Sequence, residues 1–243
     1  MNNKLKEILK KYSSEDSVFY ENSNANNVFF QLFTKNIENE VELLKIVDDL
    51  LSQNLIVDNL LLQTLSKNLC INTIEYLKEK GNNINLEDDN GENILFKVFE
   101  TSRYLINDTN LTIFKSCIER LIQLGVNYKL VNDNGRNLIH KATYNGAKES
   151  ILKLITELDI DINKQDNDGF TPLHFAVMNA SFDQMEILIN NGSKSSKYIK
   201  TKSFHFDAVD IPTPNGLTPL ELFKYNINDY VDLDFDGILE VLK

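Results

Sequence analysis

The stretch from Asp166 to Met178, Asp-Asn-Asp-Gly-Phe-Thr-Pro-Leu-His-Phe-Ala-Val-Met, is a compact instruction for a turn followed by a helix. Gly169 tolerates a positive φ, and an Asp in the turn can bond its own backbone. Thr171 then supplies a cap, and Pro172 occupies the first helical position, where a missing N–H costs nothing. Leu173, Ala176 and Val177 continue at helical spacing. One such stretch specifies only a helix start. Its recurrence constrains the whole chain.

The pattern returns as Asn-Asp-Asn-Gly-Arg-Asn-Leu-Ile-His-Lys-Ala at 132–142 and as Asp-Asp-Asn-Gly-Glu-Asn-Ile-Leu-Phe-Lys-Val at 88–98. A further copy, Thr-Pro-Asn-Gly-Leu-Thr-Pro-Leu-Glu-Leu-Phe, lies at 213–223. The turn glycines Gly91, Gly135, Gly169 and Gly216 step by 44, 34 and 47 residues, and weaker echoes begin at Asn27 and Asn59. This is a unit of about 33 residues with two lengthened copies. A second helix closes each unit, as in Met185–Gly192, Cys117–Gly125 and Ile74–Gly81.

Turn, Thr-Pro-Leu-His-x-Ala helix start, second helix and closing Gly, all recurring in phase, resemble the ankyrin repeat. The resemblance covers roughly residues 26–243 and implies an all-α fold, a solenoid of helix–turn–helix units joined by β-turn or β-hairpin fingers in a single elongated domain. Units are expected near 27–54, 59–86, 91–131, 135–165, 169–212 and 216–243, behind an N-terminal helix and polar loop at 1–25. The first unit has too few residues before Asn59 for a finger, so it reads as a terminal cap.

The insertions fall in two places. One lies around Thr101–Asn110, between the helices of the third unit. The other separates Gly192 from Thr218 by 25 residues and carries Lys194, Lys197, Lys200, Lys202, Tyr198 and Phe204 without an acid before Asp207. Loops beyond about a dozen residues are usually functional or disordered. The fourth unit ends at Leu158-Asp159 rather than at Gly, which suggests a strained or modified helix end.

Composition narrows function. The formal net charge of −11 opposes nucleic acid and anionic lipid and favours a basic partner. No apolar run suits a membrane helix, the N-terminus leads into no signal-like apolar segment, and Cys70 and Cys117 form no disulfide framework. The expectation is a cytoplasmic, monomeric protein. His140 and His174, at the fourth position of the helix start, resemble the family's structural pegs, which bond to the neighbouring turn. A zinc site is disfavoured because no Cys or acid stands at ligand spacing. Asp232, Asp234, Asp236 and Gly237 open like a calcium loop, but its twelfth position is Lys243, where a bidentate Glu is needed. Those acids are better placed to cap a last helix. No phosphate-cradling loop, nucleophile elbow or paired-cysteine motif is present. No catalytic residue, metal or cofactor is expected.

The resemblance also implies a binding surface, a concave groove formed by finger tips and the ends of first helices. Carried over by position, its residues are Asp89, Glu92, Asp133, Arg136, Tyr144, Asn145, Asp168, Phe170, Met178, Asn179 and Tyr225, with Tyr198 and Phe204 added from the long loop. Phe170, Tyr144, Met178 and Tyr225 are expected to stand exposed as anchors among polar neighbours. Acidic tips at Asp89, Asp133 and Asp168 would steer a basic protein toward the groove. The function implied is a non-enzymatic protein-binding module, a scaffold or specific inhibitor. Alternatives are an immunity-type inhibitor of a basic toxin, a host-directed effector, or a ligand-binding or enzymatic protein using the 193–215 loop.

Overall fold

A computed structural model describes residues 40–52, 59–67, 69–101, 108–194, 203–206, 209–212 and 217–225. The expected N-terminal helix, Tyr198, the Asp232–Asp236 loop and the last capping helix lie outside the described residues. The chain divides into two compact units, the first reaching Asp89 and including Asn93–Thr101 and Asn107–Asn127, the second formed by Asn90–Glu92, Ser102–Ile106 and Tyr128–Lys243.

In the first unit the helices are α1 (Glu40–Leu51), α2 (Asn59–Lys67), α3 (Ile71–Glu79), α4 (Ile94–Thr101) and α5 (Asp108–Gln123). Helix α2 packs on α4, and α1 packs on α3, which packs on α5. First helices thus stack on first helices and second on second. The apolar spacing of α1 shows why, since Leu43, Ile46, Val47 and Leu50 recur every three or four residues on one face and are fully buried. Phe99 and Phe114 meet edge to face at 5.7 Å and tie α4 to α5. Cys70 and Cys117 are free and buried, as small core residues should be, and Cys70 stands at the N-cap of α3. Burial pushes both thiols up to about 12, so neither is a nucleophile at neutral pH.

The second unit repeats the plan with α6 (Leu138–Tyr144), α7 (Glu149–Thr156), α8 (Pro172–Met178), α9 (Phe182–Asn190) and α10 (Pro219–Tyr225). Helices α6, α8 and α10 pack in sequence, and α7 packs on α9. Within the long insertion, β1 (Ser203–Phe206) pairs antiparallel with β2 (Val209–Pro212), Phe204 opposite Ile211 and His205 opposite Asp210. Among the described residues, this pair is the sole sheet in an otherwise helical array.

Asparagine stitches successive repeats. Asn85 donates to the Gly125 carbonyl and accepts from the Asn127 N–H, and Asn163 does the same with Gly192 and Lys194. The cap residues Asn93 and Asn137 also reach forward, donating to the carbonyls of Asn127 and Asp161. An amide serves here because it donates to one backbone group and accepts from another. Helices α3, α5 and α9 end on positive-φ glycines, Gly81, Gly125 and Gly192. The end of α7 behaves differently. It stops at Thr156 with Glu157 still in helical conformation and has no positive-φ residue, so of the strained or modified end expected there the modified one is found.

Candidate protein-binding surface

The fingers of the second unit are built from their turn residues upward. Asn132 Oδ1 accepts the N–H groups of Asn134 and Arg136, and Asp166 Oδ1 accepts those of Asp168 and Phe170. Each closes the same tight turn at Gly135 or Gly169. Neighbouring fingers are bonded backbone to backbone, Asp133 N–H to the Asn90 carbonyl and Asn167 N–H to the Asn134 carbonyl. Gly135 has φ +76°, and a Cβ there would lie 2.9 Å from the Asn167 nitrogen. Only glycine allows the next finger to come so close.

Pegs lock fingers to helices. His140 Nδ1 accepts the Asn137 N–H, which leaves Nε2 to donate to the Phe170 carbonyl at 3.1 Å on the following finger. His174 accepts from the Thr171 N–H and reaches the Leu217 carbonyl at 3.0 Å. Both histidines are fully buried. Burial, the largest influence, lowers His140 to about 4, the nearby cations of Arg136 and Lys164 pressing the same way against the hydrogen bond to Phe170. The peg role expected of these histidines is what they perform.

On this frame sits an aromatic cluster. Phe170 stacks on Phe175 with centroids 5.5 Å apart, and Tyr144 meets Phe175 edge to face at 5.5 Å. The Arg136 guanidinium lies 4.8 Å from the Phe175 ring and 5.7 Å from that of Tyr144. Its Nε donates to Asp166 Oδ2 at 2.9 Å. Beside it, Lys141 Nζ contacts Glu92 Oε2 at 2.8 Å, and Asn132 also donates to Glu92. Arg136 and Lys141 are therefore each matched by a buried carboxylate, where pairing offsets the cost of desolvation.

The expected site residues fall into distinct groups. Asp133, Asp168 and Asn179 are exposed, Tyr144 is 44% exposed, and Arg136 and Met178 are half-buried. Asp89 is exposed in the first unit. The exposure expected of Phe170 is overturned, since stacking on Phe175 and bonding to Asp166 leave it buried. Glu92 is buried by its pairing with Lys141, and Asn145 by folding back on the Lys141 carbonyl, so neither presents a free surface. Phe204 lies in β1 and Tyr225 ends α10, their side chains outside the described set. Phe175 and Lys141 were missed. The available signal was a bulky or charged residue directly after each peg histidine, at a position that faces the preceding finger.

An open groove of about 460 Å³ lies in the first unit between α3 and α5, lined by residues such as Ile71, Glu75, Ile113 and Arg120 and by none from 193–215. Among the described residues no His, Cys, Asp and Glu cluster is placed to hold a metal, and no helix is long and apolar enough to cross a membrane.

Stacked helix pairs and pegged fingers define a helical-repeat protein. Residues 111–200 match the family model for ankyrin repeats in three copies. No curated protein matches the chain. Ankyrin repeats mediate protein–protein interaction and are typically non-enzymatic.

Proposed function

We propose that this chain is a non-enzymatic binding module, a scaffold or specific inhibitor, that grips another protein with the finger tips and first helices of its second unit. One observation carries the reading. Tyr144 stands 44% exposed, held by Phe175 and Arg136, in a unit that also exposes Asp133, Asp168 and Asn179. A pre-organised aromatic anchor loses little freedom on binding, which is how a small patch acquires affinity. The net charge of −11 favours a partner with a basic surface. We place the protein in the cytoplasm as a monomer.

The test is affinity capture on the full chain at about 0.15 M salt, compared with Tyr144→Ala. A partner bound by the native protein should be lost with a drop of about thirtyfold or more, the size typical of a buried aromatic anchor. A partner held equally by both would place the interface elsewhere. Retention of no protein at all would count against the binding role itself.

A further inference from the structure

We infer that the second unit's face takes a linear segment of its partner in polyproline-II conformation, with bulky apolar side chains three residues apart and lysine or arginine beside them. The inference rests on the proposed binding role and names the kind of partner. Its first support is charge. Arg136 and Lys141, two cations of this unit, are paired with Asp166 and Glu92 at 2.9 and 2.8 Å. The tip carboxylates Asp133 and Asp168 are exposed and enter no ion pair among the described residues. Internal pairing thus neutralises these two cations and leaves the tip carboxylates facing outward. An acidic segment would meet uncompensated repulsion, while a basic one gains attraction without breaking an existing pair.

The second support is spacing. Tyr144 and Met178 are equivalent positions on α6 and α8, each the seventh residue after its cap, and these helices pack directly. Packed helices lie about 8–10 Å apart. A polyproline-II segment advances about 3.1 Å per residue with three residues per turn, so side chains three apart share one face and stand about 9 Å apart. Tyr144 and Met178 therefore offer two apolar footholds in step with such a segment. The fingers carrying Asp133 and Asp168 are bonded to each other through the Asn134 carbonyl and Asn167 N–H, and again from Asn167 Nδ2 to the Asp133 carbonyl at 2.7 Å. The acidic rim is consequently as fixed as the footholds.

The experiment screens an array of random ten-residue peptides on the full chain at about 0.15 M salt. Bound peptides are then measured by fluorescence anisotropy against Asp133→Asn/Asp168→Asn, Tyr144→Ala and the control Glu157→Gln/Glu186→Gln, whose carboxylates are exposed on or just after the second helices. Enrichment of apolar residues at spacing three with adjacent Lys or Arg is expected. Affinity should fall about fivefold or more in the finger-tip double variant and in Tyr144→Ala, and stay within twofold in the control, as exposed charges act weakly and locally. Equal losses in both acidic double variants would mean non-specific attraction and overturn the inference. Selection of neutral or acidic peptides that still require Tyr144 would overturn it while leaving the binding role intact. Absence of any bound peptide would also overturn it, the capture experiment alone then deciding the broader role.

Discussion

In the repeat of α6 and α7 the corner between helices is turned by Gly146 at φ 69°, and in the repeat of α8 and α9 by Ala180 at φ 51°. The bonds are the same in both. Ala147 N–H reaches the Ala142 carbonyl and Gly146 the Thr143 carbonyl, matched by Ser181 to Ala176 and Ala180 to Val177. The repeats differ again at their fingers, where Arg136 follows one turn glycine and Phe170 the other. Arg136 stays at the surface over Tyr144, while Phe170 goes under. One backbone plan therefore accepts different side chains wherever a bond to the backbone, rather than the side chain, fixes the geometry. It accepts no change where two backbones touch.

The sharpest way to break that rule is Gly135→Ala. A left-handed alanine costs about 1–2 kcal/mol, and forcing a methyl into a packed site costs about 1–3 more. Because the added Cβ would stand 2.9 Å from the Asn167 nitrogen, the loss should reach about 4 kcal/mol. Urea unfolding followed by circular dichroism measures it. The same change at Gly192, where nothing lies within 4 Å of the added Cβ, should cost only the left-handed term, about 1–2 kcal/mol. Equal losses would show that finger contact is not what distinguishes the two glycines.

Asp166→Ala comes next. It removes the acceptor for the Phe170 and Asp168 N–H groups and leaves Arg136 unpaired over the aromatic rings. About 3 kcal/mol should be lost, within the range for breaking a buried charged network. The milder change Asp166→Asn should retain part of it, because Asn132 closes the equivalent turn as an amide.

These positions also mark what the sequence revealed. The turns, caps, pegs and repeat phase were legible because backbone chemistry demands particular residues: Gly for a positive φ, Asn or Thr for a cap, a ring nitrogen to reach the next finger. The packing of Phe170 was not legible. Its position faces outward in a generic repeat, and only the neighbouring Phe175 gives it a ring to stack on. Glu92 was hidden for a similar reason, its partner Lys141 lying 49 residues further along. Pairwise contacts between repeats depend on which two residues meet, and periodicity averages over that choice. The α7 end shows the converse, since a missing Gly signalled a departure without revealing that an ordinary helix end would replace it.

Acid should separate finger closure from helix packing. In the unfolded chain His140 takes a proton near 6.5, whereas in the folded chain it does so only at about 4. Between these values the unfolded state binds more protons, so stability falls as pH drops. The contribution is complete above pH 6.5, declines through the interval and is exhausted below about 4, a total of about 3 kcal/mol. Urea midpoints measured from pH 7 to pH 4.5 should show this slope, and His140→Asn should flatten it. An unchanged slope in that variant would assign acid sensitivity to other groups.

The smallest effect tests the corners themselves. Ala180 and Leu69 occupy left-handed backbone at φ 51° and 57°, and each receives the same paired bonds that Gly146 does. If those bonds alone hold the corner, glycine should relieve strain of about 1 kcal/mol at Ala180, reduced by glycine's greater freedom in the unfolded chain. Ala180→Gly should therefore be neutral to stabilising by about 0.5 kcal/mol, read as a small rise in the urea midpoint. Leu69 is half-buried, so Leu69→Gly sets the same relief against lost apolar contact and should come out destabilising. A destabilised Ala180→Gly would mean that the alanine methyl packs to advantage. The two corners would then be alike in bonding yet different in what their side chains contribute.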